Sequence, residues 1–252
     1  MRKGIAMKEL AKKILRYALW MVAGISTLTI ISGAFAPLYA ADKGEAQSII
    51  DKSKGALCDI TGDKAFSWLN NYMKDAKGVL IFPQVLKAGF FLGGSGGSGV
   101  LLVRDTATGS WSEPAFYTMG SVTFGLQIGG EAAEVVMLAM NQKALDSLLT
   151  SSVKLGGDAS VAIGPVGGGA KGAVTVPAVT ADFISFTKAK GLYAGLNLDG
   201  SVLAVRDSLN SSYYGKSVTP NDIFVKKDVG NRGADELRMA LGGGPGHVAC
   251  RY

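Results

Sequence analysis

Side chains that commonly perform catalysis are few in this chain and form no recognisable set. His247 is the single histidine, and it lies in a glycine-rich C-terminal segment from which a Ser-His-Asp or Cys-His site would have to recruit it. The carboxylates show no paired pattern, so nothing marks a glycosidase-type acid and nucleophile. Two cysteines and one histidine are too few for the usual four-ligand zinc site without carboxylates. The sequence therefore predicts a non-enzymatic protein without a metal or a cofactor.

Two glycine motifs resemble nucleotide-binding loops but lack the required context. Residues 94–99 satisfy G-x-G-x-x-G, yet a β-type run follows them where a dinucleotide site needs the N-terminus of a helix. Gly215-Lys216-Ser217 resembles the end of a phosphate-binding loop, but Asn210 occupies the position of the required glycine. We interpret residues 94–99 as part of a flexible hairpin connection, and neither motif predicts a nucleotide site.

The first 40 residues have the pattern of an export signal. Six Lys and Arg residues against one Glu precede a mostly apolar stretch at residues 17–36, and the first acid after it is Asp42. This pattern predicts a secretory signal peptide cleaved after Ala40. The alternative is an uncleaved anchor, because the apolar stretch nearly reaches the length that spans a bilayer. Both interpretations predict an exported protein of the periplasm or cell envelope.

The basic character of the chain belongs mainly to that segment. Residues 1–40 hold six of the 26 Lys and Arg residues and one of the 20 Asp and Glu residues, which leaves 20 bases against 19 acids. Such a balance argues against a nucleic-acid partner, since phosphate neutralisation needs clustered cations. Outside the cytosol Cys58 and Cys250 could form a disulfide that ties the C-terminal tail to the first helices; the alternative is two independent thiols.

The pattern of apolar residues predicts helices at both ends and strands between them. Apolar residues recur at helical spacing through 46–60 and again through 65–76, where Asp63 can cap the second helix. From residue 78 short apolar runs alternate with glycine-rich turns, which predicts strands, although 134–140 could also be helical. Further helices are expected at 144–149 and 233–241. The predicted domains are a signal peptide or anchor at 1–40, one domain at 41–241 and a flexible tail at 242–252.

The predicted fold class is α+β, with a single β-rich domain of mainly antiparallel strands flanked by N-terminal helices and a C-terminal helix. An internal repeat accompanies it: residues 89–93 and 100–105 match residues 191–195 and 202–207 at an offset of 102 positions. This match predicts a repeated strand–hairpin unit. Arg104-Asp105 and Arg206-Asp207 are expected to close equivalent hairpins.

Lysines near aromatic residues of the opening helices are the candidates for membrane binding. A few lysines beside an apolar face suffice, because each contributes about 1 kcal/mol near an anionic surface. Four acids lie among them, and the alternative is therefore a solvated face on a core-packing helix. The candidate lipid-binding residues are Lys52, Lys54, Lys64, Trp68, Lys74, Lys77 and Lys87.

Several sequence blocks in a fixed order resemble the SYLF (Ysc84-like) family over about residues 50–241. The blocks are AKGVLIFP (76–83), VLKAGF (85–90), GVLLVR (99–104), WSEPAFY (111–117), GLQIG (125–129), LGGDAS (155–160), GPVG (164–167) and KGLYAG (190–195). The resemblance implies a lipid-binding module, associated in eukaryotic members with phosphoinositides and in some cases actin, while bacterial members are typically exported. It implies membrane phospholipid as the partner. The alternative is a structural or scaffold protein that binds another envelope protein.

Overall fold

The computed structural model describes residues 35–89, 92–124, 129–164, 180–189, 198–242 and 250, which form the expected α+β fold. The chain divides into two units, Met1–Asp42 and Lys43–Tyr252. The apolar run at 173–176, which belongs to the strands predicted from residue 78 onward, the repeat block at 191–195 and all of the predicted tail except Gly242 and Cys250 lie outside the described residues. So does the predicted signal segment as far as residue 34.

The opening helices agree with the apolar periodicity. Helix α1 covers Phe35–Gly62, a single 3-10 turn covers Lys64–Phe66, and helix α2 covers Ser67–Met73. The predicted cap is confirmed, because the Asp63 carboxylate accepts a hydrogen bond of 2.9 Å from the backbone N–H of Ala65. Apolar residues of the two helices and of the 3-10 turn, among them Ile50, Leu57, Ile60, Phe66 and Leu69, are buried against one face of the sheet.

Eight strands form one sheet around which the helices pack. In chain order they are β1 (Gly78–Gly89), β2 (Leu92–Val103), β3 (Ala115–Phe124), β4 (Gly129–Ala139), β5 (Ser152–Lys154), β6 (Val161–Ile163), β7 (Phe183–Ala189) and β8 (Val202–Val205). Their order in the sheet is β5-β8-β3-β2-β1-β4-β7-β6. All neighbours are antiparallel except β6 and β7, which are parallel. Residues 134–140, for which a helix was the alternative, lie mainly in strand β4.

The sheet curls, because its two edge strands are neighbours in sequence. Residues 155–160 alone join edge strand β5 to edge strand β6. A segment of that length spans at most about 25 Å. Eight flat strands would place the two edges about 34 Å apart, at about 4.8 Å per strand spacing. The edges therefore approach each other, and the sheet has an inner face and an outer face.

Alternating side chains give the curled sheet a core on each face. In β1 the side chains of Val79 and Ile81 pack into the outer core beneath helices α1 and α2. Leu80 and Phe82 point the opposite way into the inner core. All four residues are fully buried, which explains why this strand is a continuous apolar run.

The prediction that residues 94–99 belong to a flexible hairpin connection is wrong. Strand β2 runs through them from Leu92 to Val103, and residues 90–91 stand between the hydrogen-bonded ends of β1 and β2. The glycines are needed because β1 is irregular between Ile81 and Leu86 and approaches β2 closely there. A Cβ on Gly97 would lie 2.2 Å from the Gln84 carbonyl oxygen, and a Cβ on Gly99 would lie 2.3 Å from that of Ile81. The run therefore permits strand contact and is no linker.

Substituting Gly99 with alanine is expected to lower the free energy of unfolding by about 1–3 kcal/mol. The added methyl group would meet backbone of β1 and the Phe82 ring at 2.6 Å, so the strands would have to separate. Gly120→Ala is the matched control, since its Cβ would meet nothing nearer than the Ser95 carbonyl oxygen at 4.0 Å. Urea denaturation of the two variants measures the difference. Equal midpoints would contradict the close approach of β1 and β2.

The remaining helices pack around the sheet after β4 and β8. Helix α3 (Gln142–Leu148) and the final helix α5 (Asp235–Gly242) confirm the predictions at 144–149 and 233–241. Two further elements were not predicted, namely helix α4 (Asp207–Tyr214) and a π-helix (Asp222–Lys226). A 3-10 turn (Arg232–Ala234) forms the start of the helical segment predicted at 233–241.

The expectation that the two Arg-Asp pairs close equivalent hairpins is wrong for the second pair. Asp105 does open the turn between β2 and β3, where its N–H donates to the Ser110 carbonyl. Asp207, in contrast, is the first residue of α4. Arg206 points back to the sheet, where it donates to the Ser98 hydroxyl at 2.6 Å and pairs with Glu45 at 2.8 Å. These long-range contacts replace a hairpin closure with a helix start. The predicted repeat of the strand–hairpin unit is also wrong for its second copy, because β1 pairs with β2 whereas β7 and β8 are not neighbours in the sheet.

Candidate functional site

One short segment presents an aromatic side chain between two lysines, and we call Lys64, Trp68 and Lys74 the α2 patch. Phe66 and Leu69 are fully buried and fix α2 on the outer core. Trp68 lies between them on the opposite side and is 38% exposed. Lys64 stands one turn before Trp68, and Lys74 directly follows the helix, both exposed. Because Phe66 and Leu69 are buried against the sheet, the Trp68 indole faces the solvent.

Neither lysine of the α2 patch has an ion-pair partner within the part of the chain that the structure describes. Two of the four carboxylates that lie among the predicted lysines bind away from Lys64 and Lys74, whereas Asp75, which directly follows Lys74, is exposed. Asp59 and Asp63 both pair with Lys188 of β7, at 3.5 and 3.4 Å. The backbone N–H of Ala65, followed by Lys188, lowers the pKa of the Asp63 carboxyl despite partial desolvation. Asp59 and Asp63 therefore help to fasten the opening helical segment to the sheet.

The other predicted lysines lie in separate surroundings. Lys54 pairs with Glu236 of α5 at 2.6 Å, where the ammonium lowers the pKa of the Glu236 carboxyl. Lys52 borders a cavity of about 420 Å³ between α1 and strands β1 and β4. Lys87 lies on β1 in register with Glu131 of β4, and Lys77 stands just before β1. The seven predicted residues therefore lie in several different surroundings, and Lys64, Trp68 and Lys74 share one short segment that runs from the 3-10 turn to the residue after α2.

Sequence reasoning missed Lys188, which forms ion pairs with Asp59 and Asp63 of the opening helical segment. Its ammonium is 129 residues away from Asp59 in sequence, and no local pattern marks the pair. Burial opposes its charge, but the two carboxylates raise the pKa of Lys188 above its ordinary value. Only the packing of α1 across β7 brings the three charges together.

Cys58 of α1 and Cys250 are joined by a disulfide, with their Cα atoms 5.2 Å apart. Of the two arrangements that the sequence left open, the structure has the bonded one. Cys58 is buried, so the bond attaches residue 250 to the interior side of the helix. The C-terminal end of the chain is thereby tied to the first helix of the fold.

The described residues offer no metal-binding group of three or more His, Cys, Asp or Glu side chains. No helix among them is long and apolar enough to cross a bilayer. His247 lies outside the described residues. The described surface does expose the lysines and the tryptophan of the α2 patch, which are side chains suited to non-covalent binding.

Sequence comparisons with known proteins relate this chain to a protein family. The profile described as "Ysc84: Las17-binding protein actin regulator" matches residues 120–243. An SH3 domain-containing protein of Schizosaccharomyces pombe is 36% identical over 172 residues, which cover 67% of this chain and 39% of that protein. Protein YSC84 of Saccharomyces cerevisiae is 36% identical over 172 residues, covering 67% of this chain and 36% of its own length.

An animal relative matches the same way. The human SH3 domain-containing YSC84-like protein 1 is 34% identical over 150 residues, which cover 59% of this chain and 43% of the human protein. The chain thus spans less than half of the length of these curated relatives. The names of the relatives describe binding and regulatory proteins, and none describes an enzyme.

Proposed function

Since the chain carries a domain of the Ysc84 (SYLF) family, we propose that it binds anionic phospholipid at a membrane surface. The α2 patch is the binding surface, with Trp68 entering the interfacial region and Lys64 and Lys74 facing the headgroups. No catalytic group takes part, because the proposed action is adhesion to a charged surface.

The observation that supports this proposal is that Asp59 and Asp63 form ion pairs with Lys188 of β7. Lys188 engages Asp59 and Asp63, so neither of these carboxylates pairs with Lys64 or Lys74. Tryptophan favours the boundary between water and lipid because its ring is apolar and its N–H is polar. An exposed indole and two ammonium groups without a described carboxylate partner, all on one short segment, are therefore suited to an anionic bilayer.

Neutralising both lysines of the α2 patch is expected to weaken binding to anionic vesicles by roughly 30-fold. The reason is that each lysine contributes about 1 kcal/mol near such a surface, and about 1.4 kcal/mol corresponds to a factor of ten. The measurement is sedimentation of the purified Lys64→Gln/Lys74→Gln protein with phosphatidylserine-containing vesicles, beside the unmodified protein and with pure phosphatidylcholine vesicles as the uncharged reference.

The matched control removes two exposed lysines elsewhere. Lys154 on edge strand β5 and Lys216 after α4 are both exposed, and Lys154→Gln/Lys216→Gln changes the net charge by the same amount. We expect this control to bind nearly as well as the unmodified protein. Equal losses in both double variants would show a diffuse charge effect and contradict the α2 patch.

Binding to another protein is the second candidate function. It is favoured by the relatives named LAS seventeen-binding protein 3, whose names state a protein partner. The corresponding role here is that of an envelope scaffold. A partner retained in a pull-down, combined with no binding to vesicles of any composition, would favour this function over lipid binding.

We further propose that the protein acts outside the cytosol, in the periplasm or cell envelope. The disulfide between Cys58 and Cys250 supports this location, since disulfides persist in oxidising compartments and are rare in the cytosol. Two free thiols in protein recovered from an envelope fraction would contradict the proposal.

A further inference from the structure

A cleft of about 500 Å³ opens at the end of the sheet where β1 begins and β2 ends. It lies between α3, the π-helix and the connection from β2 to β3, and Arg238 of α5 reaches its rim. None of the α2 patch residues lines it. Its size is that of a site for a small organic ligand.

Two walls of the cleft are apolar and come from different helices. Leu145 and Leu149 line it beside α3, and Ile223 and Phe224 line it from the π-helix. Leu101 of β2 continues the wall into the inner core. Between these walls an unbranched hydrocarbon chain would exchange water for apolar contacts on both sides.

The opposite side of the cleft carries an excess of positive charge. Four cations (Lys77, Arg104, Lys227 and Arg238) and two carboxylates (Asp105 and Glu113) line it. Both carboxylates already form ion pairs, Asp105 with Lys227 at 2.5 Å and Glu113 with Arg238 at 3.0 Å. These are charge-assisted contacts that fix two of the four cations.

Lys77 and Arg104 remain without a carboxylate partner in the described part of the chain. Arg104 donates to the Lys74 carbonyl oxygen at 2.5 Å, and its guanidinium lies 6.0 Å from the centre of the buried Trp111 ring. These contacts orient the Arg104 group without neutralising it. The cleft thus combines apolar walls with two uncompensated cations.

Backbone features of the cleft also set it apart from the rest of the fold. The π-helix at Asp222–Lys226 is a rare element that occurs frequently at functional sites. Lys227 caps the C-terminal end of the π-helix, and among the described residues it is the one non-glycine residue with a positive φ, at 55°. Such a conformation costs about 1–3 kcal/mol and persists where the surroundings enforce it. Here it accompanies the ion pair between Lys227 and Asp105.

We propose that this cleft binds one anionic amphiphile, with its carboxylate or phosphate head against Lys77 and Arg104 and its unbranched chain between α3 and the π-helix. This inference goes beyond the proposed membrane attachment, because it concerns a single molecule held in a cleft and uses no side chain of the α2 patch; Lys74 contributes only the backbone carbonyl that orients Arg104. A ligand of this class needs both halves of the site. A free anion lacks the chain, and an uncharged alcohol lacks the head.

Calorimetric titration with monomeric laurate, lauryl phosphate and lauryl alcohol tests the proposal on the purified protein. We expect the two anions to bind with one molecule per chain and the alcohol to bind at least tenfold more weakly. Lys77→Gln is expected to weaken laurate binding by about tenfold. Leu149→Trp, which fills the half-buried wall, is expected to abolish the binding of all three probes.

Each result has a definite consequence for the cleft. Failure of both anions to bind, equal binding of the alcohol, or unchanged laurate affinity in Lys77→Gln would overturn the proposal. The Lys64→Gln/Lys74→Gln protein should bind laurate normally while losing vesicles, and Lys77→Gln should retain vesicles while losing laurate. Vesicle sedimentation reports on the α2 patch and laurate titration reports on the cleft, so the failure of one proposal is distinguishable from the failure of the other.

Discussion

Cys250→Ser is expected to lower the free energy of unfolding by about 2–5 kcal/mol. The bond joins residues separated by 192 positions, and a crosslink over such a long loop restricts the unfolded chain by about 5 kcal/mol in the loop-entropy account. Part of this gain is offset because the bond also fixes Cys250 in the folded protein. For a chain of this size each kcal/mol corresponds to about 2–4 °C in Tm.

The experiment compares melting temperatures with and without a reductant. Cys250 is the position to change, because Cys58 is buried in α1 and a serine there would add a buried hydroxyl group to the loss of the bond. Reduction should bring the unmodified protein to the Tm of Cys250→Ser and should leave the variant unchanged. An unmodified protein whose Tm ignores the reductant would argue against the disulfide or against its stabilising effect.

Replacing the buried carboxylate of Asp182 with an amide is expected to destabilise the fold by about 3 kcal/mol at neutral pH. Asp182 is 5% exposed and accepts hydrogen bonds of 2.9–3.0 Å from Asn141, Lys143 and both the N–H and the hydroxyl of Ser160. It therefore joins α3 and β6 to the start of β7. In Asp182→Asn an NH₂ group would face donors, and buried donors without an acceptor cost about 1–3 kcal/mol each.

Asp146→Asn is the matched control for that substitution. Asp146 is exposed on α3 and accepts a side-chain hydrogen bond from Gln142 at 2.9 Å, so its change should stay within about 0.5 kcal/mol. Thermal unfolding at neutral pH compares the two variants. If Asp182→Asn melts together with Asp146→Asn, the hydrogen bonds of Asp182 do not hold the three elements together.

The same carboxylate gives a pH dependence with a defined sign. Burial alone would raise the pKa of Asp182, but the hydrogen bonds from Ser160, Lys143 and Asn141 together hold it below the ordinary value. The stabilisation is therefore complete above the pKa of about 4 in the unfolded chain and is lost as the pH falls towards the folded-state pKa. The stability difference between the unmodified protein and Asp182→Asn should shrink below about pH 4.

Local sequence patterns predicted the elements whose stability rests on their own residues. Helical spacing located α1, α3 and α5, and Asp63 marked the start of the turn before α2 because a cap involves only residues two or three positions away. Continuous apolar runs located β1 and the second half of β2, whose side chains are buried on both faces. The ordered blocks also indicated the family.

Tertiary structure alone decided the points that depend on contacts between distant residues. The glycine run became a strand because β1 comes within 2.3 Å of where a Cβ of Gly99 would lie, a restriction that no local propensity contains. Asp207 began a helix because Arg206 reaches Ser98 and Glu45. Lys188 pairs with Asp59, 129 positions away in sequence, and with Asp63, so these two acids do not pair with the lysines beside them.

The sequence by itself thus determined an α+β domain, its family and the candidate lysines, because side-chain type and periodicity act over a few residues. It did not determine which charges remain unpaired or that a cleft joins Lys77 and Arg104 to apolar walls. Pairing of charges depends on distances of a few ångströms between segments far apart in the chain, and only the curled sheet with its packed helices fixes those distances.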